Sequence, residues 1–105
     1  KLYPNYKRMG FTVWETVSED PVGDSTLRDA KTFLGETMCL LGNLDQIHFL
    51  KTASPQEVAE KTRAIVQAGK PGGHYIFSTS DFLEKETPLE NVKAMIDAAK
   101  EAGVY

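Results

Sequence analysis

Short apolar runs rich in β-branched and aromatic residues alternate along this chain with stretches in which apolar residues recur at helical spacing. The runs, each of which predicts a β-strand, cover residues 11–16, 37–41 and 74–77. The amphipathic stretches carry Leu27, Ala30, Phe33 and Leu34, then Val58, Thr62, Ile65 and Val66, and finally Leu89, Val92, Met95, Ile96 and Ala99. Strands that alternate with one-sided helices over short connections pair in parallel through right-handed crossovers. The pattern therefore predicts an α/β fold of three consecutive βα units with parallel strands.

Two cassettes of one form predict where the second and third of these helices begin. Ser54-Pro55-Gln56-Glu57 and Thr87-Pro88-Leu89-Glu90 each place a hydroxyl residue before a proline and a glutamate shortly after it. The hydroxyl can cap a free backbone N–H, proline fits the first helical position, and the glutamate completes a capping box. For the first helix, Asp24 or Ser25 is the predicted N-cap residue.

Glycines mark the other ends of these elements. Gly35, Gly69 and Gly103 are equally spaced, and we expect each to end a helix in the left-handed conformation that glycine adopts without steric cost. The spacing also suits two-helix solenoids, but each repeat here holds one helical stripe and one apolar run. Gly42 and Asn43 are expected to interrupt the second apolar run.

A sheet of this kind leaves a surface to be covered. Three parallel strands with helices on one side expose the other face and both edges, which a stable monomer avoids. We therefore expect the chain, residues 1–105, to be a single segment that is either part of a larger (β/α)8 barrel or covered by assembly into a homo-oligomer.

Composition excludes several classes of function. The chain has 105 residues, 41% of them hydrophobic, and a net charge of -3 with both signs interleaved, so it offers no basic surface for nucleic acid. Its apolar runs fall short of the roughly 20 residues that span a bilayer, and it opens without a secretory signal pattern. These features predict a cytoplasmic protein that acts on a small molecule. The lone Cys39 is expected to be a small buried hydrophobe.

Polar residues just after the three runs are the site candidates, because ligands of parallel α/β folds bind at the carboxyl ends of the strands. They are Glu15, Thr16, Ser18, Glu19, Asp20, Asn43, Asp45, His48, Ser78, Thr79, Ser80, Asp81 and Glu84. The residues favoured for substrate binding are Glu15, Asn43, Asp45, Thr79 and Ser80, with Asp81 as the catalytic candidate.

Each of these residues also has an ordinary structural interpretation. Asp81 could accept a proton, bind a metal or anchor a hydrogen bond, but it could equally belong to an ordinary turn. Asn43 and Asp45 follow a glycine where short polar side chains often bond to nearby backbone. Glu15 would point into a barrel near its mouth, or lie solvated at the end of its strand.

Histidines and aromatic residues give weaker signals. The spacing of Asp45 and His48 would allow a shared metal, but without an H-x-x-H or C-x-x-C signature an ordinary surface histidine is favoured. Trp14 and Phe77 could line a flat pocket, although packing in the core is the commoner use of strand aromatics. His74 precedes its strand, on the side of the sheet where a structural role is expected.

The order and spacing of four motifs resemble those of a known family. Gly42-Asn43-Leu44-Asp45, Ser54-Pro55-Gln56-Glu57-Val58, Gly72-Gly73-His74-Tyr75-Ile76-Phe77-Ser78 and Thr87-Pro88-Leu89-Glu90-Asn91-Val92-Lys93-Ala94-Met95 together resemble the carboxyl-terminal part of the uroporphyrinogen decarboxylase superfamily. The resemblance implies that the chain supplies the last three βα units of a (β/α)8 TIM barrel.

The resemblance also implies one of two chemistries. Decarboxylases of the superfamily remove acetate carboxyls from a tetrapyrrole without a cofactor, whereas its methyltransferases use zinc and a corrinoid, methylcobalamin. At position 81 the decarboxylases would carry histidine in a Gly-His-Gly loop and the methyltransferases cysteine in a Pro-Gly-Cys-Gly loop. Asp81 in Thr79-Ser80-Asp81-Phe82 matches neither loop. A thiolate cannot bind zinc at this position, whereas the Asp81 carboxylate can.

Three hypotheses follow. The sequence from Thr87 to Met95 looks more like the methyltransferase branch, so we expect a methyltransferase parent in which Asp81 is a possible zinc ligand and Glu15 and Asp45 line the mouth. The alternative enzyme is a uroporphyrinogen decarboxylase, and the alternative of another class is a non-catalytic α/β binding module. In either enzyme the 105-residue chain alone is expected to be inactive, because its site draws on several strand ends.

Overall fold

A computed structural model of the chain contains a three-stranded parallel sheet with helices packed along one side of it. The structure describes residues 2–21 and 23–105. The strands lie side by side in chain order: β1 (Val13–Trp14), β2 (Cys39–Leu44) and β3 (Tyr75–Thr79). The helices are α1 (Tyr3–Met9), α2 (Leu27–Leu34), α3 (Pro55–Gly69) and α4 (Leu89–Ala102), and a π-helical turn (Gln46–Leu50) follows β2. None of these described helices is long and apolar enough to cross a membrane.

The two faces of the sheet are covered unequally, as predicted. Leu40 lies fully buried among the helices, and residues paired with it in a parallel register share its face. The alternate positions belong to the opposite face, where Val13 is 52% and Ile76 54% exposed. The core therefore lies between the sheet and its helices, and the other face is open.

The strands differ in length from the prediction. β1 is shorter than residues 11–16, because Thr16 takes a left-handed conformation (φ 63°) that ends extended pairing. β2 is not interrupted at Gly42 and Asn43, which pair with Phe77 and Ser78 of β3. Both β2 and β3 consequently carry polar residues to the carboxyl edge of the sheet.

One of the two predicted capping boxes is present. In α3 the hydroxyl of Ser54 accepts the Glu57 N–H (3.2 Å), and the Glu57 carboxylate accepts the Ser54 N–H (2.8 Å). The prediction for α4 was wrong: Pro88 occupies the N-cap position in an extended conformation, and the Thr87 hydroxyl donates instead to the carbonyl of Glu84.

The start of α2 also differs from the prediction. Thr26, rather than Asp24 or Ser25, is the N-cap residue, because it directly precedes the first helical residue and its hydroxyl accepts the Asp29 N–H (3.1 Å). Leu27, Ala30 and Leu34 are buried as expected, whereas Phe33 is 55% exposed beside the ring of Tyr3.

The glycine prediction was wrong in conformation. Gly35 and Gly103 end their helices in the right-handed region, and Gly69 is the last residue within α3. Gly69 is needed for space, because a Cβ there would lie 2.5 Å from the Tyr75 ring. Gly72, Gly73 and His74 take left-handed conformations in this connection and turn the chain from α3 into β3.

The buried face of α4 is rotated from the predicted stripe. Asn91, Ala98 and Ala102 are buried, whereas Leu89 is 74% exposed. This rotation lets the Asn91 side chain donate to the carbonyl of Leu50, at the end of the π turn, and to that of Ala53, just after it. The apolar positions Leu89 and Ile96 are left toward solvent.

Helix α1 was not predicted, although its ends have ordinary signals. Pro4 lies in its first turn, and Gly10 ends it with a left-handed conformation (φ 76°). The rings of Tyr3 and Tyr6 pack against Trp14, with centroids 5.8 and 5.1 Å away. The helix thereby covers the end of the short β1 strand.

Candidate functional site

A cleft opens at the carboxyl edge of the sheet, where the sequence places its site candidates. Its volume is about 240 Å³. It is lined by Thr16, Ser18, Glu19, Asp20, Asn43, Asp45, Gln46, Ile47, Phe49, Lys61, Ser80 and Asp81. We refer to this set of residues as the cleft. Most of its side chains come from the loop after β1, the end of β2 with the π turn, and the loop after β3.

Asn43 lies at the floor of the cleft. Strand pairing places it opposite Ser78 on the open face, and only 4% of the residue is exposed. Its amide Nδ2 donates to Glu19 Oε1 (3.2 Å), while within the described part of the chain Oδ1 has no hydrogen-bond partner. The preceding peptide bond is cis, and the hydroxyl of Tyr75 donates to the Gly42 carbonyl. The backbone that presents Asn43 is therefore held from the helix-covered side.

Glu19 connects the loop after β1 to the rest of the cleft. Besides accepting from Asn43, its carboxylate lies 3.9 Å from the ammonium of Lys61 on α3. Both side chains are more than a third exposed, so the pair adds little stability. The pair instead affects where the two side chains lie. The Glu19 carboxylate stays over Asn43, and the Lys61 ammonium is paired with it.

Asp45 caps the π turn with one oxygen and meets a histidine with the other. Its Oδ1 accepts the N–H groups of Ile47 (2.8 Å) and His48 (3.0 Å), and its Oδ2 lies 3.0 Å from His48 Nδ1. Partial burial acts to raise the pKa of Asp45, but the hydrogen bonds from His48 and Ile47 outweigh it and hold that pKa below its ordinary value. The carboxylate is thus committed to local structure at the cleft wall.

Removing this cap should weaken the fold in a pH-dependent way. We expect Asp45→Ala to cost about 1 kcal/mol at pH 7, as for other N-cap deletions. Because the folded-state pKa of Asp45 is lowered, its stabilisation is present above the unfolded-state pKa of about 4 and is lost as pH falls through the folded value. Urea midpoints of wild type and variant should therefore converge on acidification below about pH 4. The exposed Asp97→Ala is the matched control, and a gap that stays constant down to acid pH would contradict the role of Asp45.

Asp81 lies at the rim of the cleft with Ser80. The Ser80 N–H donates to the Leu44 carbonyl (2.9 Å), which extends the β2–β3 pairing by one residue. Asp81 is exposed, its Oδ1 accepts the Phe82 N–H (2.8 Å), and its carbonyl accepts the Thr79 hydroxyl (2.6 Å). This loop fixes the backbone of Asp81 and directs its carboxylate to the solvent side of the cleft.

The structure brings together four of the six predicted site residues. Asn43, Asp45, Ser80 and Asp81 line the cleft, whereas Thr79 and Glu15 do not. Thr79 pairs with Leu44, which is fully buried on the helix-covered face. Glu15 is exposed just before the left-handed Thr16, and the chain reversal there brings Glu19 to the cleft in its place.

The other candidates have structural surroundings. His48 is a half-exposed surface histidine bonded to Asp45, and His74 Nδ1 lies 2.9 Å from the Gly35 carbonyl at the amino end of β3. Trp14 packs with Tyr3 and Tyr6, and Phe77 packs on the core. Cys39 is only partly buried, because it pairs with Val13 on the open face.

Some residues of the cleft had not been singled out. Lys61 reaches it from the middle of α3, where its charged neighbours give no signal that distinguishes it. Gln46, Ile47 and Phe49 follow Asp45 directly, and the buried Gln46 is an unusual polar residue for the core. Their position behind a strand end was the one signal available.

The residues of the described chain do not by themselves form a zinc site. No three His, Cys, Asp or Glu side chains of residues 2–21 and 23–105 lie close enough to share a metal ion. A structural or catalytic zinc takes at least three protein ligands. Asp81 can contribute one carboxylate at most, so the donor set present here does not fit the metal.

Several curated proteins and solved structures are similar to this chain, and three of them are described here. It is 32% identical over 71 residues to the methylated-thiol–coenzyme M methyltransferase of Methanosarcina mazei, covering 68% of this chain and 18% of that protein. It is 31% identical over 71 residues to the uroporphyrinogen decarboxylase of Magnetococcus marinus, covering 68% of this chain and 19% of that protein. The solved structure of a methyltransferase from Methanosarcina mazei superposes with a TM-score of 0.66 at 23% identity, covering 82% of this chain and 23% of that one.

The structural likeness establishes the fold: the three βα units form a partial (β/α)8 barrel. The chain spans about a fifth of the length of the curated relatives it matches. Residues 2–102 match the family model described as uroporphyrinogen decarboxylase (URO-D). The chain therefore belongs to the uroporphyrinogen decarboxylase family.

Proposed function

We propose that this chain supplies the carboxyl-terminal βα units of a barrel enzyme that transfers a methyl group between a corrinoid and a small molecule bound in the cleft. The observation that carries the proposal is the charge of the cleft. Four carboxylates, of Glu19, Asp20, Asp45 and Asp81, face a single ammonium, of Lys61. A tetrapyrrole that carries many carboxylates would be repelled by such a lining.

The sequence from Thr87 to Met95 resembles the methyltransferase branch more closely and so supports methyl transfer over decarboxylation, whereas Asp81 matches neither branch. A relative named as a methyltransferase also matches 68% of the chain at 32% identity. The decarboxylase at 31% identity leaves the competing reaction as the one to be excluded by assay.

The residues of this chain would bind and orient the small molecule. Asn43 and the carboxylates offer hydrogen-bond acceptors, and Phe49 and Ile47 supply apolar contact. Asp81, at the open rim, would accept a proton or a hydrogen bond from the reacting group. The corrinoid would supply the methyl group itself. No step is assigned to zinc, because the described residues do not form a ligand set for it.

The proposal predicts that Asp81 contributes to turnover in the protein that carries this chain as part of its barrel. Asp81→Asn keeps the size and hydrogen bonding of the side chain but removes its charge and basicity. We expect at least a tenfold, or about 1.4 kcal/mol, loss in the rate at which methylcobalamin transfers its methyl group to a neutral thiol, followed by absorbance. Asp97→Asn, on the exposed side of α4, is the matched control and should retain the rate.

Two outcomes would contradict different parts of this proposal. An unchanged rate in Asp81→Asn would remove Asp81 from the reaction but leave methyl transfer in place. Conversion of uroporphyrinogen to coproporphyrinogen, without methyl transfer, would identify a decarboxylase instead. The 105-residue chain assayed alone should show no turnover, because it contributes only three strand ends to the site.

A further inference from the structure

The floor of the cleft holds a buried acceptor that no described residue pairs with. Asn43 is 4% exposed, and its Oδ1 is without a hydrogen-bond partner among the described residues. The amide orientation is fixed by Nδ2, which donates to Glu19 Oε1 at 3.2 Å. A reversed amide would place two acceptors against each other. Buried amide oxygens are nearly always paired, so a donor brought by a ligand would complete this one.

The surroundings of Asn43 select the charge of that ligand. The side chains around the cleft that carry charge are four carboxylates and Lys61, whose ammonium lies beside Glu19. A carboxylate, sulfonate or phosphate would meet like charge from these carboxylates, and the ammonium that could offset it already lies beside Glu19. A neutral hydroxyl or an ammonium meets acceptors instead.

One wall of the cleft is apolar. Ile47 is 42% exposed, and Phe49 is partly buried against the core, and both belong to the π turn. Side chains of this kind contact an alkyl or aromatic body through surface removed from water. A volume of about 240 Å³ accommodates a body of one ring.

We propose that the cleft binds a small neutral or cationic molecule that donates an N–H or O–H to Asn43 Oδ1 and rests an apolar body on Ile47 and Phe49. This proposal rests on the proposed function, because the molecule it describes is the small molecule that exchanges a methyl group with the corrinoid. Asn43 is thereby a ligand-binding residue, and the carboxylates exclude anionic analogues.

The test compares three probes of one shape, benzylammonium, benzyl alcohol and benzoate, titrated by calorimetry and ligand-observed NMR into the protein that carries this chain as part of its barrel. We expect saturable binding of the first two and at least tenfold weaker binding of benzoate. The ratio between benzylammonium and benzyl alcohol distinguishes an amine from a hydroxyl as the donor. Benzoate binding as tightly as both, or no saturable binding of either donor, would overturn the proposal.

Two variants assign the binding to Asn43 and to the charge. Asn43→Leu, similar in size and without the acceptor, should weaken both donor probes at least fivefold. Glu19→Gln leaves the strand untouched and keeps an acceptor for Asn43 Nδ2, so it should weaken benzylammonium about threefold and benzyl alcohol less than twofold. Asp97→Asn should change neither. Equal affinities in wild type and in both cleft variants would refute the site.

This binding test is independent of catalysis. If methyl transfer fails while the donor probes bind through Asn43, the proposed reaction is wrong and the ligand class stands. If the protein transfers methyl groups while benzoate binds as tightly as the donor probes, the reaction stands and the ligand class is wrong.

Discussion

Replacing Asn91 by leucine is expected to lower the free energy of unfolding by about 3 kcal/mol, because the buried Leu50 carbonyl and the partly buried Ala53 carbonyl lose their donor at once. Asn91 is 1% exposed, and its Nδ2 donates to the carbonyls of Leu50 and Ala53, both at 2.8 Å. Each unsatisfied buried group costs about 1–3 kcal/mol, and leucine keeps the number and branching of the side-chain heavy atoms, so most of the loss reports the hydrogen bonds. Asn91→Asp should be worse, since it sets a carboxylate against the same carbonyls.

The measurement is amide hydrogen exchange together with urea midpoints, which do not both depend on two-state unfolding. Protection should fall in the π turn as well as in α4, because the side chain joins them. Glu90→Gln, at the exposed neighbouring position, is the control and should change stability by less than about 0.5 kcal/mol. A loss below about 1 kcal/mol in Asn91→Leu would show that these bonds contribute little beyond packing.

Substituting Gly69 by alanine is expected to destabilise the chain by about 2 kcal/mol, although alanine is the better helix former by about 1 kcal/mol. The reason is space: the new Cβ would lie 2.5 Å from Cδ2 and Cε2 of Tyr75. The ring cannot easily withdraw, because it is partly buried and its hydroxyl donates to the Gly42 carbonyl. Overpacking therefore outweighs helix propensity at this position.

A double-mutant cycle separates these two effects. In a Tyr75→Leu background the clash is gone, so Gly69→Ala should become neutral or stabilising by up to about 1 kcal/mol. Gln67→Ala, at an exposed position of α3, measures propensity alone. The same destabilisation in both backgrounds would rule out the Tyr75 contact as its cause. The measurement is the shift of the urea midpoint in each of the four cycle members.

Much of the architecture could be predicted from local patterns. Alternating apolar runs and helical stripes gave the parallel βα order, and Ser54 with Glu57 gave the start of α3, because both depend on residues close in sequence. The open sheet face followed from counting helices on one side. The end of each strand was less predictable, since β2 continues through Gly42 and Asn43 only because β3 offers it backbone partners.

In the cleft too, some residues could be predicted from local sequence patterns and others could not. The rule that ligands bind at the carboxyl ends of parallel strands placed Asn43, Asp45, Ser80 and Asp81 at one edge of the sheet, and in the structure these four line the same cleft. It favoured Glu15 over Glu19, because the left-handed Thr16 that turns the chain between them leaves no clear mark in a threonine. Lys61 enters from α3 through the packing of that helix on the sheet.

The sequence by itself determined the order and direction of the elements, the family and the edge of the sheet where a site would form, since hydrophobic period, capping and motif order act over short distances. Only the tertiary structure decided which side chains are paired. The Asn91 side chain joined α4 to the carbonyls of Leu50 and Ala53, Tyr75 required glycine at position 69, and Asn43 kept an unpartnered oxygen beneath the carboxylates of the cleft. Each of these depends on atoms brought together from distant parts of the chain, where burial makes hydrogen bonding and space decisive.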